Sequence, residues 1–319
     1  IGSKGKGIDS FIPISWSEAL DEIAFRFQEQ VRKFGSETIW PHFYAGTMGL
    51  IQRDGIDRLR HTMGYSRQHS TLCSAASDAG WRAGTGVKRG VDAREIGEHS
   101  DVVVLWGTNA VHTQVNLMHH VTKARKRGAR VVVVDPYRNA TAQKADLHIM
   151  LKPGSDGALA ASVMHVLLER NLSDLDYLAE FTDFDRELEN HLKTKTPEWA
   201  SEITGVPPEQ IVEFSELIGK NPKTFYRLGY GFTRTRNGAF NMHAVSCLPA
   251  MTGAWKFRGG GALYSNSDLF KLDKTLIVGS DVVDETTRVL DQSRIGEILC
   301  GNPIDLQGGP PVTALLIQN

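Results

Sequence analysis

Three short turns of this chain carry the residue types that hold a nucleotide. They contain Gly107, Asp135 and Asp156, each among further polar residues. Glycine lets the backbone approach a phosphate, N–H groups at the start of a helix can bind it, and carboxylates accept hydrogen bonds from a ribose or a guanine. Each turn taken alone is more often an ordinary loop. Three in succession favour a dinucleotide site.

Each of these turns follows a predicted strand and precedes a helix or a further strand. Val102–Trp106 and Val131–Val134 are continuous apolar runs, and the residues between them predict a helix over 112–127 that stops at Gly128. Strands that are apolar on both faces are typical of a parallel sheet covered by helices on each side. Ligands of such sheets bind beyond the carboxyl ends of the strands. The sequence therefore predicts an α/β, Rossmann-like fold with a doubly wound, mostly parallel sheet.

The same alternation extends along the rest of the chain. The further predicted elements are a helix after the capping box Ser15-x-x-Glu18, a strand over 38–44 with a turn at Gly46, a helix over 50–63, helices from about Asp156 and from Pro208, a strand over 224–228 and a helix over 238–252. The final apolar run, 312–319, is strand-like with nothing evident to pair against. Both ends look cut, so we expect an internal fragment of a longer chain.

Length and composition exclude several functional classes. A chain of 319 residues exceeds the usual size of one hydrophobic core and predicts two domains. Lys and Arg number 36 against 37 Asp and Glu, which disfavours nucleic acid as a partner. No apolar run approaches the ~20 residues that cross a membrane, so we expect no direct membrane insertion. The three scattered cysteines favour a reducing compartment, the cytoplasm.

The nucleotide that this sequence predicts is not NAD. The nicotinamide fingerprint G-x-G-x-x-G, placed directly after a strand, is missing at Gly107. The glycines of Gly84–Gly90 are mis-spaced for it and follow no convincing strand. A different nucleotide fits the pattern better.

Seven segments in succession resemble the molybdopterin oxidoreductase family, of the dimethyl sulfoxide reductase type. They are "ISWSEALDEIA", "TLCSAASDAG", "SDVVVLWGTNAVHT", "GARVVVVDPYRNATAQKADLHIMLKPGSDGALAASVMHVLLERN", "ITGVPPEQI", "LGYGFTRTRNGAFNMHAVSCLPAMTG" and "GGGALYS". The resemblance runs from about residue 11 to the end. It implies a catalytic subunit with two molybdopterin guanine dinucleotides, whose four dithiolene sulfurs bind one molybdenum or tungsten ion.

By this resemblance, Cys73 is the ligand that the protein supplies to the metal. In the family, a Cys, selenocysteine, Ser or Asp ligand comes just before the pattern x-A-x-[SA]-x-x-G, and Ser74–Gly80 matches that pattern. A soft thiolate suits a metal already held by sulfur. Without the family, a structural role for Cys73 is the commoner one. Cys247 and Cys300 are predicted to be core residues.

The resemblance also implies the residues that bind one of the two cofactors. Those matching the family's nucleotide loops are Gly107, Thr108, Asn109, Asp135 and Asp156. Gly229, Gly231 and Arg234 match a loop near the pterin or the substrate channel, with a simple helix-start turn as the alternative. Arg138 and Lys144 could neutralise a pyrophosphate, and His69 could transfer protons near the metal. For each of these residues, an ordinary surface or structural role is the alternative.

The order of segments in the family implies the domain arrangement. Residues 71–258 would form the dinucleotide-binding domain, inserted into a second α/β domain made of 1–70 and 259–319. The family's segment with a 4Fe–4S cluster, which precedes this region, and its C-terminal barrel domain have no counterpart in the sequence. We therefore expect this fragment alone to be inactive.

The function implied is a molybdenum or tungsten oxidoreductase that performs two-electron redox chemistry or oxygen-atom transfer on a small molecule. An iron–sulfur cluster would accept or supply the electrons, and an electron-transfer subunit is a candidate partner. Formate is a doubtful substrate because Ser74 stands where formate dehydrogenases of the family usually carry His. The alternatives are a non-catalytic scaffold, as in the large iron–sulfur subunit of NADH dehydrogenase, and a generic nucleotide-binding α/β protein.

Overall fold

The computed structural model describes residue 7 and the ranges 11–44, 49–267 and 269–318. The chain divides into two compact units. One contains the described residues up to Thr71 and from Leu272 onward, and the other runs from Leu72 to Lys271. The predicted turn at Gly46 lies outside the described residues. The chain therefore leaves the discontinuous unit near residue 71 and returns to it near residue 272.

Strands and helices alternate along the described residues. The strands are β1 (Ile39–Phe43), β2 (Arg67–His69), β3 (Val102–Trp106), β4 (Arg130–Val134), β5 (Leu147–Ile149), β6 (Thr224–Leu228), β7 (Gly261–Leu263), β8 (Val289–Asp291) and β9 (Ala314–Gln318). The helices are α1 (Trp16–Phe34), α2 (Leu50–Met63), α3 (Ser74–Thr85), α4 (Ile96–His99), α5 (Ala110–Thr113), α6 (Val115–Lys126), α7 (Asp156–Glu169), α8 (Leu175–Phe181), α9 (Arg186–Leu192), α10 (Pro197–Thr204), α11 (Pro208–Gly219), α12 (Gly238–Met251), α13 (Thr275–Val278) and α14 (Ile295–Leu299). The predicted α/β class is confirmed.

The continuous unit contains a five-stranded sheet in which every strand pair is parallel. Its strand order is β5-β4-β3-β6-β7. From β3 the chain builds the sheet outward through β4 to β5, then returns beside β3 to add β6 and β7. The order reverses between β3 and β6, which is the topological switch point where such sheets bind ligands. This confirms the predicted doubly wound, parallel sheet.

Helices cover both faces of this sheet because successive side chains of a strand point to opposite faces. On one face, Val103 and Leu105 pack in a core with Leu117 and Val121 of α6. On the other face, Val104 and Trp106 belong to a larger core with side chains of α3, α7, α10, α11 and α12. All five residues of β3 are buried, so this strand is the centre of the unit.

The discontinuous unit contains two short parallel strand pairs, β1 with β9 and β2 with β8. Its first helix begins at the predicted capping box. The Ser15 hydroxyl accepts from the Glu18 N–H at 3.2 Å, and the Glu18 carboxylate accepts from the Ser15 N–H at 2.8 Å. Two otherwise unpaired donors at the start of α1 are thereby satisfied.

Several local features differ from the sequence-based expectations. The C-terminal run does find a partner, since β9 pairs with β1. The helix predicted over 112–127 is broken into α5 and α6 at Gln114, where ψ is 57°. Cys300 is exposed after the end of α14 and is not a core residue, whereas Cys247 is half-buried. The continuous unit extends past the expected boundary at residue 258, because β7 pairs with β6.

Replacing Leu105 by Ala should lower the free energy of unfolding by about 2–5 kcal/mol, the usual effect of truncating a buried leucine. Leu105 is fully buried in the central strand, and the cavity left by truncation would lie between β3 and α6. Leu175→Ala is the matched control, because Leu175 is 58% exposed. Denaturant titration of both variants measures the difference, and equal effects would contradict the central position of β3.

Candidate functional site

The register of the parallel sheet aligns the ends of its three central strands. Trp106 lies opposite Val134 on one side and Leu228 on the other. The residues that follow these three are Gly107, Asp135 and Gly229. Three of the residues predicted from separate turns therefore emerge side by side at one edge of the sheet.

The backbones after β3 and β6 approach each other closely at the switch point. The Gly229 N–H donates to Trp106 O at 2.8 Å, and the Gly231 N–H donates to Gly107 O at 3.0 Å. A Cβ atom on Gly231 would lie 2.7 Å from Gly107 O, and one on Gly229 would overlap the same atom. Gly107 itself has φ of +62°, a conformation that favours glycine. Only glycine fits this double turn without displacing the backbone.

Asp156 lies at the start of α7 and is almost fully buried beside this double turn. Trp106 Nε1 donates to its Oδ1 at 2.7 Å. Burial raises the pKa of Asp156 to about 6; the Trp106 hydrogen bond opposes this rise, and the negative charge of Asp135 adds to it. Asp135 follows Val134, which pairs with Ile149 of β5, and Asp156 begins the helix after β5, so both carboxylates belong to the same edge of the sheet.

The turn after β3 is fixed to the turn after β4 by side-chain hydrogen bonds. Thr141 Oγ1 donates to Asn109 Oδ1 at 2.8 Å and accepts from the Val111 N–H at 3.0 Å. Asn139 Oδ1 accepts from the Thr141 N–H at 2.9 Å. Thr108 is buried, and its hydroxyl accepts from Gln114 Nε2 at 3.3 Å. These bonds hold the predicted nucleotide loop in one conformation.

A buried asparagine that the sequence-based prediction missed connects the turn before α7 to the turn after β6. Asn241 Oδ1, on α12, accepts from the Gly157 N–H at 3.0 Å. Its Nδ2 donates to Phe232 O at 3.3 Å and to Gly154 O at 3.4 Å. The sequence signal for this role is a polar residue on the mostly apolar helix α12.

Cys73 stands at the start of α3 in a backbone conformation that side chains rarely adopt, with φ of 45° and ψ of −92°. Its thiol is free and half-buried. Ser77 Oγ donates to Cys73 O at 3.1 Å and lies 2.5 Å from Thr233 Oγ1. Thr233 ends the short turn that begins at Gly231, so these hydroxyls connect the cysteine turn to the switch point.

The remaining predicted residues are not drawn into this cluster by side-chain contacts. Arg234 is exposed and follows the turn that begins at Gly231, while Arg138 and Lys144 are exposed near the turn after β4. His69 is exposed at the end of β2, in the discontinuous unit. Their predicted roles stay predictions.

The residues present at the carboxyl edge fit a bound dinucleotide. The switch point presents the main chain of the turns after β3 and β6, and the carboxylates of Asp135 and Asp156 at the same edge offer acceptors for a ribose or a guanine. Strained backbone such as that of Cys73 persists where the surrounding structure enforces it, and it is typical of functional positions. Within the described ranges, no three His, Cys, Asp or Glu side chains cluster so that they could hold a metal ion. Likewise, no described helix combines the length and apolarity needed to span a membrane.

Comparison with known proteins identifies the family. The family model "Molybdopterin oxidoreductase" matches residues 4–291. The chain is 36% identical over 318 residues to "Probable oxidoreductase YoaE" of Bacillus subtilis, covering 99% of this chain and 45% of that protein. It is 30% identical over 300 residues to "Dimethyl sulfoxide reductase DmsA" of Haemophilus influenzae, covering 82% of this chain and 36% of that protein.

A solved structure shares the fold. The acetylene hydratase from Pelobacter acetylenicus aligns with a TM-score of 0.60 and 22% identity, over 79% of this chain and 35% of that one. The chain thus spans less than half the length of the relatives it matches. The family model covers most of the sequence, and the chain belongs to the molybdopterin oxidoreductase family.

Proposed function

We propose that the full-length protein is a molybdenum or tungsten oxidoreductase acting on a small molecule. Cys73 would hold the metal together with the dithiolene sulfurs of two molybdopterin guanine dinucleotides, and the bound group would supply two-electron redox chemistry or oxygen-atom transfer. An iron–sulfur cluster and an electron-transfer subunit belong to the same proposal. The similarity to a dimethyl sulfoxide reductase supports an oxidoreductase of this class.

The observation that carries this proposal is the placement of Cys73. A free, half-buried thiol occupies a strained position at the start of α3, and Ser77 and Thr233 connect that turn to the glycine turn at the switch point. A cysteine that only packs in a core does not require this strained backbone conformation. A soft thiolate at this position suits a metal whose other ligands are sulfur.

The chain's own residues have separable roles in this proposal. Gly107, Gly229 and Gly231 allow the turns after β3 and β6 to pack against each other, and the main chain of these turns would bind a pyrophosphate or a pterin. Asp135 and Asp156 accept hydrogen bonds from the guanine or ribose end. Thr108 and Asn109 would shape the loop after β3 that holds the nucleotide, and the exposed Arg234 would neutralise a phosphate.

Cys73→Ala in the full-length protein should reduce bound metal or change its absorption spectrum, because one ligand is lost. Metal is measured by plasma mass spectrometry, and released guanine nucleotide is quantified on the same samples. Cys300→Ala is the matched control, since Cys300 is an exposed free cysteine. A wild-type protein without metal and without guanine nucleotide, made in a host that synthesises the cofactor, would instead favour a scaffold of the same fold.

Gly229→Ala should lower guanine nucleotide content at least about tenfold, because the new methyl group overlaps Gly107 O and pushes the two turns apart. Gly55→Ala is the control, since a methyl group there meets no other atom within 4 Å. Nucleotide release after purification measures the effect. Full nucleotide content in Gly229→Ala would show that the double turn does not form the binding site.

Asp156→Asn should flatten the pH dependence of stability. The folded wild type holds a proton on Asp156 up to about pH 6, whereas the unfolded chain releases it near 3.8, so folding stability falls as the pH rises through this window. A shift of this size corresponds to about 3 kcal/mol in the free energy of unfolding. Denaturant titrations across the window measure it, with the exposed Asp176→Asn as control. Parallel curves for wild type and Asp156→Asn would contradict the prediction.

A further inference from the structure

A polar cavity opens at the carboxyl ends of β6 and β7, within the continuous unit. Its volume is about 500 Å³. Three basic side chains line it together with neutral polar groups, and none of its lining residues is a carboxylate. The basic residues are Arg94, His120 and Arg227.

Arg227 is the basic residue whose surroundings are unusual. Its side chain is half-buried, and its Nε donates to Gln114 Oε1 at 2.8 Å. Its Nη1 donates to Tyr264 O at 2.7 Å, to Leu263 O at 3.1 Å and to Leu228 O. Every one of these acceptors is neutral. The bonds fix the guanidinium in place and leave its positive charge without a counter-ion.

No carboxylate among the described residues forms an ion pair with Arg227, and no described group accepts a hydrogen bond from its Nη2. Burial lowers the pKa of Arg227 to about 10, and the neighbours that act against this lowering are the hydroxyls of Tyr230 and Tyr264. Arg94, in contrast, forms an ion pair with Asp92. A half-buried cation whose acceptors are all neutral gains from a counter-ion, so an anion from outside the chain would stabilise it.

The cavity is connected to both parts of the candidate site. Gln114, which accepts from Arg227, also donates to Thr108 in the turn after β3. Tyr264, which lines the cavity, donates its hydroxyl hydrogen to Asp78 on α3, the helix that begins after Cys73. A ligand in the cavity would therefore lie beside residues that contact the nucleotide loop and the cysteine helix.

From these observations we infer that the cavity is an oxyanion site in which Arg227 binds a phosphate-like group. A guanidinium with one free edge pairs well with the oxygen atoms of phosphate or sulfate. The group comes either from a phosphate of a nucleotide bound at the switch point or from a free small oxyanion. Both sources share the same chemistry at Arg227.

The first test is calorimetric titration of the cofactor-free, full-length protein with inorganic pyrophosphate. Arg227→Gln should weaken binding about tenfold or more, as expected for the loss of charged hydrogen bonds. Arg94→Gln is the matched control and should change affinity less than about threefold, because Asp92 already neutralises that arginine. Equal affinity of wild type and a folded Arg227→Gln, or no binding by the wild type at millimolar pyrophosphate, would overturn the inference.

A second variant leaves the hydrogen bonds of Arg227 intact, in case Arg227→Gln does not fold. Asn116 lines the cavity at the start of α6, and Asn116→Asp places a negative charge there without a change of shape. This variant should also weaken pyrophosphate binding several-fold. Asn190→Asp, on exposed α9 outside the cavity lining, should not. Equal binding by both variants would count against the site.

The same titration on cofactor-loaded protein separates the two sources. Loss of pyrophosphate binding on loading identifies a cofactor phosphate as the occupant, and retained binding identifies a free oxyanion. Because the first test needs neither metal nor catalysis, its failure is distinguishable from failure of the proposed oxidoreductase function, which is tested by metal and guanine content.

Discussion

The alignment of three parallel strand ends is the constraint on which the rest of the site depends. Trp106 is paired with Val134 and Leu228, so the first residues after β3, β4 and β6 emerge at one level of the sheet. A shift of one residue in either strand pair would turn a buried valine or leucine toward the wrong face. The apolar side chains that form the two cores therefore also fix the position of Gly107, Asp135 and Gly229.

Backbone packing at the switch point follows from the same constraint. Because β3 and β6 are neighbours, the turns that follow them lie in contact. Side chains at positions 229 and 231 would overlap Gly107 O, and glycine at both positions avoids this overlap. The N–H of Gly231 is used for the bond to Gly107 O. The position of each turn is thus set by the main chain of the other.

Much of this arrangement could be predicted from the sequence because its signals are local. Continuous apolar runs such as Val102–Trp106 predict buried parallel strands, and the turns after them predict a ligand site. The contacts of Asp156 with Trp106 and of Asn241 with Gly157 could not be predicted, because they join residues far apart in the chain. The pairing of β9 with β1 was missed for the same reason.

Charge is distributed unevenly along the carboxyl edge of the sheet. On the β4 side, Asp135 and Asp156 lie close enough for one negative charge to raise the pKa of the other group. On the β6 side, Arg227 is half-buried without a carboxylate partner in the described part of the chain. A ligand with hydrogen-bond donors at one end and oxyanion groups at the other would satisfy both sides at once. Two groups that are unfavourable in isolation would then become favourable together, which links the stability of this unit to ligand binding.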